Sequence, residues 1–149
     1  MREKFISDLK DAMKGGDKLK VATLRLVQSA LKDKDIEARG LGKTVSGDDV
    51  LALLQKMVKQ RQESLGIFEK AGREDLAAQE RGEIEIITAY LPKQMGEADV
   101  QAAIKAAVAE TGAASVKDMG KVIGVLKAKF SGQMDFAKAS ALVKAALAG

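Results

Sequence analysis

The chain contains no cysteine and no histidine. The first absence rules out disulfides, thiolate metal sites and a cysteine nucleophile. The second removes the commonest acid–base side chain and the commonest metal ligand, so a zinc enzyme and an imidazole-based triad are both excluded. Tryptophan is missing, aromatic residues make up 3% of the chain, and Pro92 is the single proline. Nowhere do about 18 consecutive apolar residues occur, the run a membrane-spanning helix needs. The first residues, Met1 to Phe5, are charged and amphipathic, which does not read as a signal peptide. A soluble cytoplasmic protein is the expectation.

Alanine, leucine, lysine, glutamate and glutamine fill most of the 149 residues. These are the strong helix formers, and alternating β-branched runs are absent, so the fold class reads as all-α. The length allows one domain or two small ones. Net charge is +4, and it is evenly spread: residues 1–95 hold 18 basic and 16 acidic side chains, residues 96–149 hold 7 and 5. Charge alone therefore marks no nucleic-acid-binding arm.

Helix signals recur along the chain. Phe5, Leu9 and Met13 share one face, ended by Gly15-Gly16. Asp17 caps a second helix with Val21, Leu24, Val27 and Leu31 inward, stopped at Gly40. Ser46 and Asp49 make a capping-box-like start to a third helix through Val50, Leu53, Leu54, Met57, Val58, Leu65 and Phe68. Gly72 breaks it, and a fourth runs from about Glu74 to Leu91. Pro92 is a hard stop. The expected division is residues 1–92 as an N-terminal bundle of about four helices, 93–96 as linker, and 97–149 as a small three-helix tail. In the tail, Val100, Ile104 and Val108 mark one helix ended by Gly112. Ser115 with Asp118 opens a second that runs to about Phe130, and Asp135 caps a third. Met119, Val122, Ile123, Leu126, Leu142, Val143 and Leu147 are its candidate core.

Candidate chemistry is sparse. Gly40-Leu41-Gly42-Lys43-Thr44 ends like a phosphate loop but lacks the upstream glycine and the preceding strand, so it reads as a connection. Glu80, Glu83 and Glu85 gather acidic charge, yet nothing else converges on them; they read as a solvated face with Arg73 and Arg81 as partners. Lys56, Lys59 and Arg61, with Gln60 and Gln62, form the densest basic surface of the N-terminal part and can meet phosphates. The most distinctive stretch is Asp118-Met119-Gly120-Lys121-Val122-Ile123-Gly124. Each glycine inside a helix costs roughly 0.5–1 kcal/mol relative to alanine. Gly120 and Gly124 share a face, and the expected reason is packing against the small Ala103 and Ala107 of the preceding helix. The flanking Lys117, Lys121 and Lys127 are the candidate contacts for an RNA backbone. No residue is a candidate catalyst, and no metal or cofactor site is expected.

The same block resembles the YqeY family, and the resemblance covers nearly the whole chain. It rests on Leu24-Arg25-Leu26-Val27, Lys59-Gln60-Arg61-Gln62-Glu63-Ser64, Phe68, Gly72-Arg73-Glu74-Asp75-Leu76, Tyr90-Leu91-Pro92-Lys93-Gln94, Asp118-Met119-Gly120-Lys121-Val122, and Gly132 with Asp135. Ile123 stands where methionine is usual, and Gln133-Met134 where Arg-Ala is common. The resemblance implies a helical bundle followed by a tail similar to that of GatB, a subunit of the tRNA-dependent amidotransferase. It associates such proteins with carbon–nitrogen ligase activity using glutamine as amido-N-donor. The catalytic domain for that reaction, with its histidines and its serine–lysine signature, has no counterpart here. A tRNA-binding adaptor is the implied function. Two alternatives stand beside it: an enzyme or accessory subunit in tRNA-dependent amidation, and a protein-interaction module docking a helical partner.

Overall fold

A computed structural model describes residues 1–148. Among them are seven α-helices and no strand. The chain divides into two compact units, residues 1–91 and the remainder from Pro92.

The first unit holds α1 (Arg2–Gly15), α2 (Lys18–Gly40), α3 (Gly47–Lys70) and α4 (Glu74–Thr88). These form two helical hairpins. In the first, Gly16 takes a left-handed conformation (φ 72°) and Asp17 accepts the Lys20 amide at 3.1 Å, so the chain reverses within two residues. Arg2 at the start of α1 then reaches Asp35 near the end of α2 with a two-pronged ion pair, at 2.8 and 2.7 Å. In the second hairpin Gly72 (φ 71°) turns the chain from α3 to α4. The expected capping box is present: Asp49 N–H donates to Ser46 Oγ at 3.1 Å and Ser46 N–H to Asp49 Oδ2 at 2.9 Å.

The core of this unit joins Phe5, Leu24, Val27, Leu31, Val50, Leu53, Leu54, Met57 and Ile87. Met13, expected inward, is exposed, and Ala12 is buried in that turn instead. Helix α4 stops at Thr88, three residues before its expected end. Tyr90 leaves the helical line to pack edge-on against Phe5, with ring centroids 4.7 Å apart, and its hydroxyl donates to Asp8. Burial, then that carboxylate, push the Tyr90 phenol above its ordinary range.

The second unit holds α5 (Glu97–Thr111), a single 3-10 turn at Val116–Asp118, α6 (Met119–Phe130) and α7 (Phe136–Ala148). Its core is Ile104, Ala107, Val122, Leu126, Met134, Ala139 and Val143, with Met119, Ile123, Leu142 and Leu147 packed at the edge. The segment read as a linker is tied to this unit. Gln94 Nε2 donates to the Gly132 carbonyl at 2.7 Å, and the Met95 amide to the Gln133 carbonyl at 2.8 Å. Asp135 caps α7, as its side chain accepts the Ala137 amide at 2.9 Å.

Candidate nucleic-acid interface

Helix α6 is amphipathic in an unusual way. Val122 and Leu126 are fully buried on its inner side. The helical period then turns Gly120, Lys121, Gly124 and Lys127 outward together; Lys117 stands just before them in the 3-10 turn, and all five are exposed. A methyl group built on Gly120 or Gly124 would meet nothing within 4 Å. The expectation that these glycines pack against Ala103 and Ala107 is therefore corrected. Ala107 is buried, but in the core with Val122 and Leu126 and not beneath a glycine. The reason is rotational: Val122 and Leu126 already occupy the stripe that faces α5, and the glycines sit well round the helix from it.

The start of this face differs from expectation too. Ser115 makes no capping bond through its side chain. Asp118 instead turns back, accepting the Ala114 amide at 3.0 Å and closing the 3-10 turn. That bond, then the Ser115 amide and the nearby Lys121, hold the Asp118 carboxyl below its usual range. Lys117 and Lys121 make no ion pair among the described residues, and the Lys127 ammonium lies 6.0 Å from the Phe136 ring centroid. Lys129, off this face, is engaged by Glu110 at 2.6 Å. The outer side of α6 is thus bare helix backbone between three cations, spread over roughly 15 Å.

The three basic candidates of the first unit do not form one surface. Lys59 is exposed on α3, and Lys56 lines a cleft with Lys34 and Lys43. Arg61 turns inward. Its Nε meets Glu83 Oε2 at 2.9 Å and its Nη1 donates to the Met57 carbonyl at 3.1 Å, while the two side chains keep only 15% and 8% of their exposure. Arg61 is removed from the phosphate-contact set, because its guanidinium is held by Glu83 and the Met57 carbonyl inside the α3–α4 interface. The reading of Glu83 as solvated is corrected by the same pair. Arg81 and Arg73, expected to partner Glu80, Glu83 and Glu85, pair elsewhere: Arg81 with Glu74 and Glu69, and Arg73 with Asp75. The missed signal was available: Arg61 lies four residues after buried Met57, and Glu83 four before buried Ile87, so both fall on core stripes. Gln79 donates to the other Glu83 oxygen at 3.3 Å. Beside them one Glu80 oxygen is buried without a hydrogen-bond partner. Desolvation, then the Glu83 charge, raise the Glu80 carboxyl above its ordinary value, and the opposing pull of Arg61 does not cancel them.

Among the described residues no group of three or more acidic side chains is placed to hold a metal ion. No helix there is long and apolar enough to cross a membrane.

The family model described as Yqey-like protein matches residues 2–147. The chain belongs to the YqeY family. Curated relatives include the protein named "Altered inheritance of mitochondria protein 41, mitochondrial" of Saccharomyces cerevisiae, 36% identical over 84 residues, which is 56% of this chain and 44% of that protein. Its counterpart in Lachancea thermotolerans is 40% identical over 84 residues, and that of Vanderwaltozyma polyspora 37% over 86, with the same coverage of each chain. The matched segment thus spans less than half of those YqeY relatives.

Two outcomes test this geometry. Gly124→Ala should stabilise the tail by about 0.5–1 kcal/mol in urea or thermal melts, and Gly120→Ala by less because it sits in the first turn. Gly82→Ala should gain nothing, since the new methyl would lie 2.5 Å from Leu19 Cδ2 across the α2–α4 contact. A destabilised Gly124→Ala variant would mean that something packs there after all. Glu80→Gln should match the parent below the ordinary glutamate value of 4.5. A raised folded-state value means the neutral form is the stabilising one, and its contribution is lost as pH rises through that value. At neutral pH the variant should therefore be the more stable of the two. Parallel pH–stability curves would contradict this.

Proposed function

We propose that this YqeY-family chain is a cytoplasmic RNA-binding adaptor, with tRNA as its partner and the outer face of α6 as its contact. The observation that carries the reading is the bare backbone at Gly120 and Gly124 between Lys117, Lys121 and Lys127. Two helical glycines that pack on nothing cost stability without return inside the fold. They do leave a flat surface on which a bulky sugar–phosphate chain can come close to the helix. The lysines supply charge to phosphates, which binds and positions but reads no sequence. The resemblance to the GatB tail points to the same partner. An amidation step, where one is needed, belongs in this reading to a separate catalytic protein.

A gel-shift titration against tRNA checks it. Binding should be strongest at low salt, and Lys117→Ala with Lys121→Ala should weaken it and lower the slope of log K against log salt by about 1.5. Absence of binding at low salt would contradict the proposal. Incubation with misacylated tRNA, glutamine and ATP should give no turnover by the chain alone; any turnover would replace the adaptor by an enzyme.

A further inference from the structure

A second surface lies in the N-terminal unit, where a cleft of about 350 Å³ opens between the end of α2, the following loop and the start of α3. Its floor is apolar. Val45 and Leu53 come from the edge of the core, and Leu41 stands 68% exposed, more than any other large apolar side chain described. Around this floor stand Lys34 from α2, Lys43 from the loop and Lys56 from α3. Lysine stems add to apolar surface of this kind while the charged head stays in water.

Two carboxylates also line the cleft, and both are engaged. Asp49 accepts the Ser46 amide in the capping box, which is the first cause of its lowered acid range, with Lys34 and Lys43 assisting. Glu37 lies 3.6 Å from Lys34. Lys56 makes no ion pair among the described residues, and Lys43 faces a carboxylate already held by an amide. Three lysines against two carboxylates leave the cleft one net positive charge over an apolar seat, with Lys56 the cation outside any ion pair among the described residues.

We propose that this cleft docks an acidic segment of a protein partner. A bulky apolar side chain of that segment rests on Leu41 and Leu53, and flanking carboxylates meet Lys43 and Lys56. Charge complementarity selects the acidic partner, and the exposed leucine demands an apolar anchor within it. A nucleic acid fits less well: no aromatic side chain lines the cleft to stack a base, and the floor would face a charged backbone. Apart from Lys56, which the sequence also offered to phosphates, the surface lies on different residues from the proposed tRNA contact on α6, so either can fail alone.

The test is fluorescence anisotropy of the full chain with a labelled decapeptide in which glutamate alternates with leucine and phenylalanine. Saturable binding is expected, with circular dichroism confirming that each variant keeps its helix. Lys43→Glu with Lys56→Glu should weaken binding roughly tenfold or more. Leu41→Ser should weaken it several-fold, and so should a peptide with glutamine replacing glutamate. No binding by the parent chain would overturn the proposal, as would binding indifferent to these changes. A single-stranded RNA that displaces the peptide and depends on the same three residues would assign the cleft to nucleic acid and equally overturn it.

Discussion

A short helix in a small bundle can bury only one stripe of its surface, and the placement of every functional candidate follows from which residues hold that stripe. In α6 Val122 and Leu126 take it, with Met119, Ile123 and Val125 at its margins. The remaining arc must face outward, and the chain fills that arc with Gly120, Lys121, Gly124 and Lys127, with Lys117 exposed in the turn before it. The hydrophobic effect thus orients the basic face without any contact of its own. A chain with 3% aromatic residues and no disulfide has little else to fix such orientations. Apart from Phe5, its two cores are built from leucine, valine, isoleucine, methionine and alanine.

The same constraint explains why the basic side chains of the first unit have separate fates. Lys56, one residue before Met57, leans to the cleft side of α3. Arg61, one turn after Met57, is carried onto the core stripe and must find an anion there. Glu83 supplies it from α4, and breaking such a buried pair typically costs about 3–5 kcal/mol because one charge is left uncompensated. Arg61 and Glu83 therefore belong to the architecture, and Lys56 remains available to a partner. Neighbouring positions on one helix differ in role because they differ in angle.

Much of the fold was legible in the residues. Asp17, the Ser46–Asp49 capping box, Gly16, Gly72 and Gly112 mark helix ends by local chemistry, and local chemistry survives folding. What was not legible depended on contacts distant in sequence. Tyr90 ends α4 early because Phe5 and Asp8, more than eighty residues away, hold it. The two glycines of α6 read as packing devices because a glycine on a helix face gives no sign of which way it turns. The packing glycine is Gly82, against Leu19, and only the α2–α4 contact identifies it. The lysines of the tail were legible as candidates, since their spacing alone puts them on one arc.

Chemical footprinting of lysines tests most directly whether that arc is the working surface. The full chain would be acetylated at low salt with and without tRNA, and each lysine read by mass spectrometry. Lys117, Lys121 and Lys127 should lose reactivity together when tRNA is added. Protection that spares these three, or falls evenly on every lysine of the chain, would contradict the assignment of the outer face of α6 to RNA.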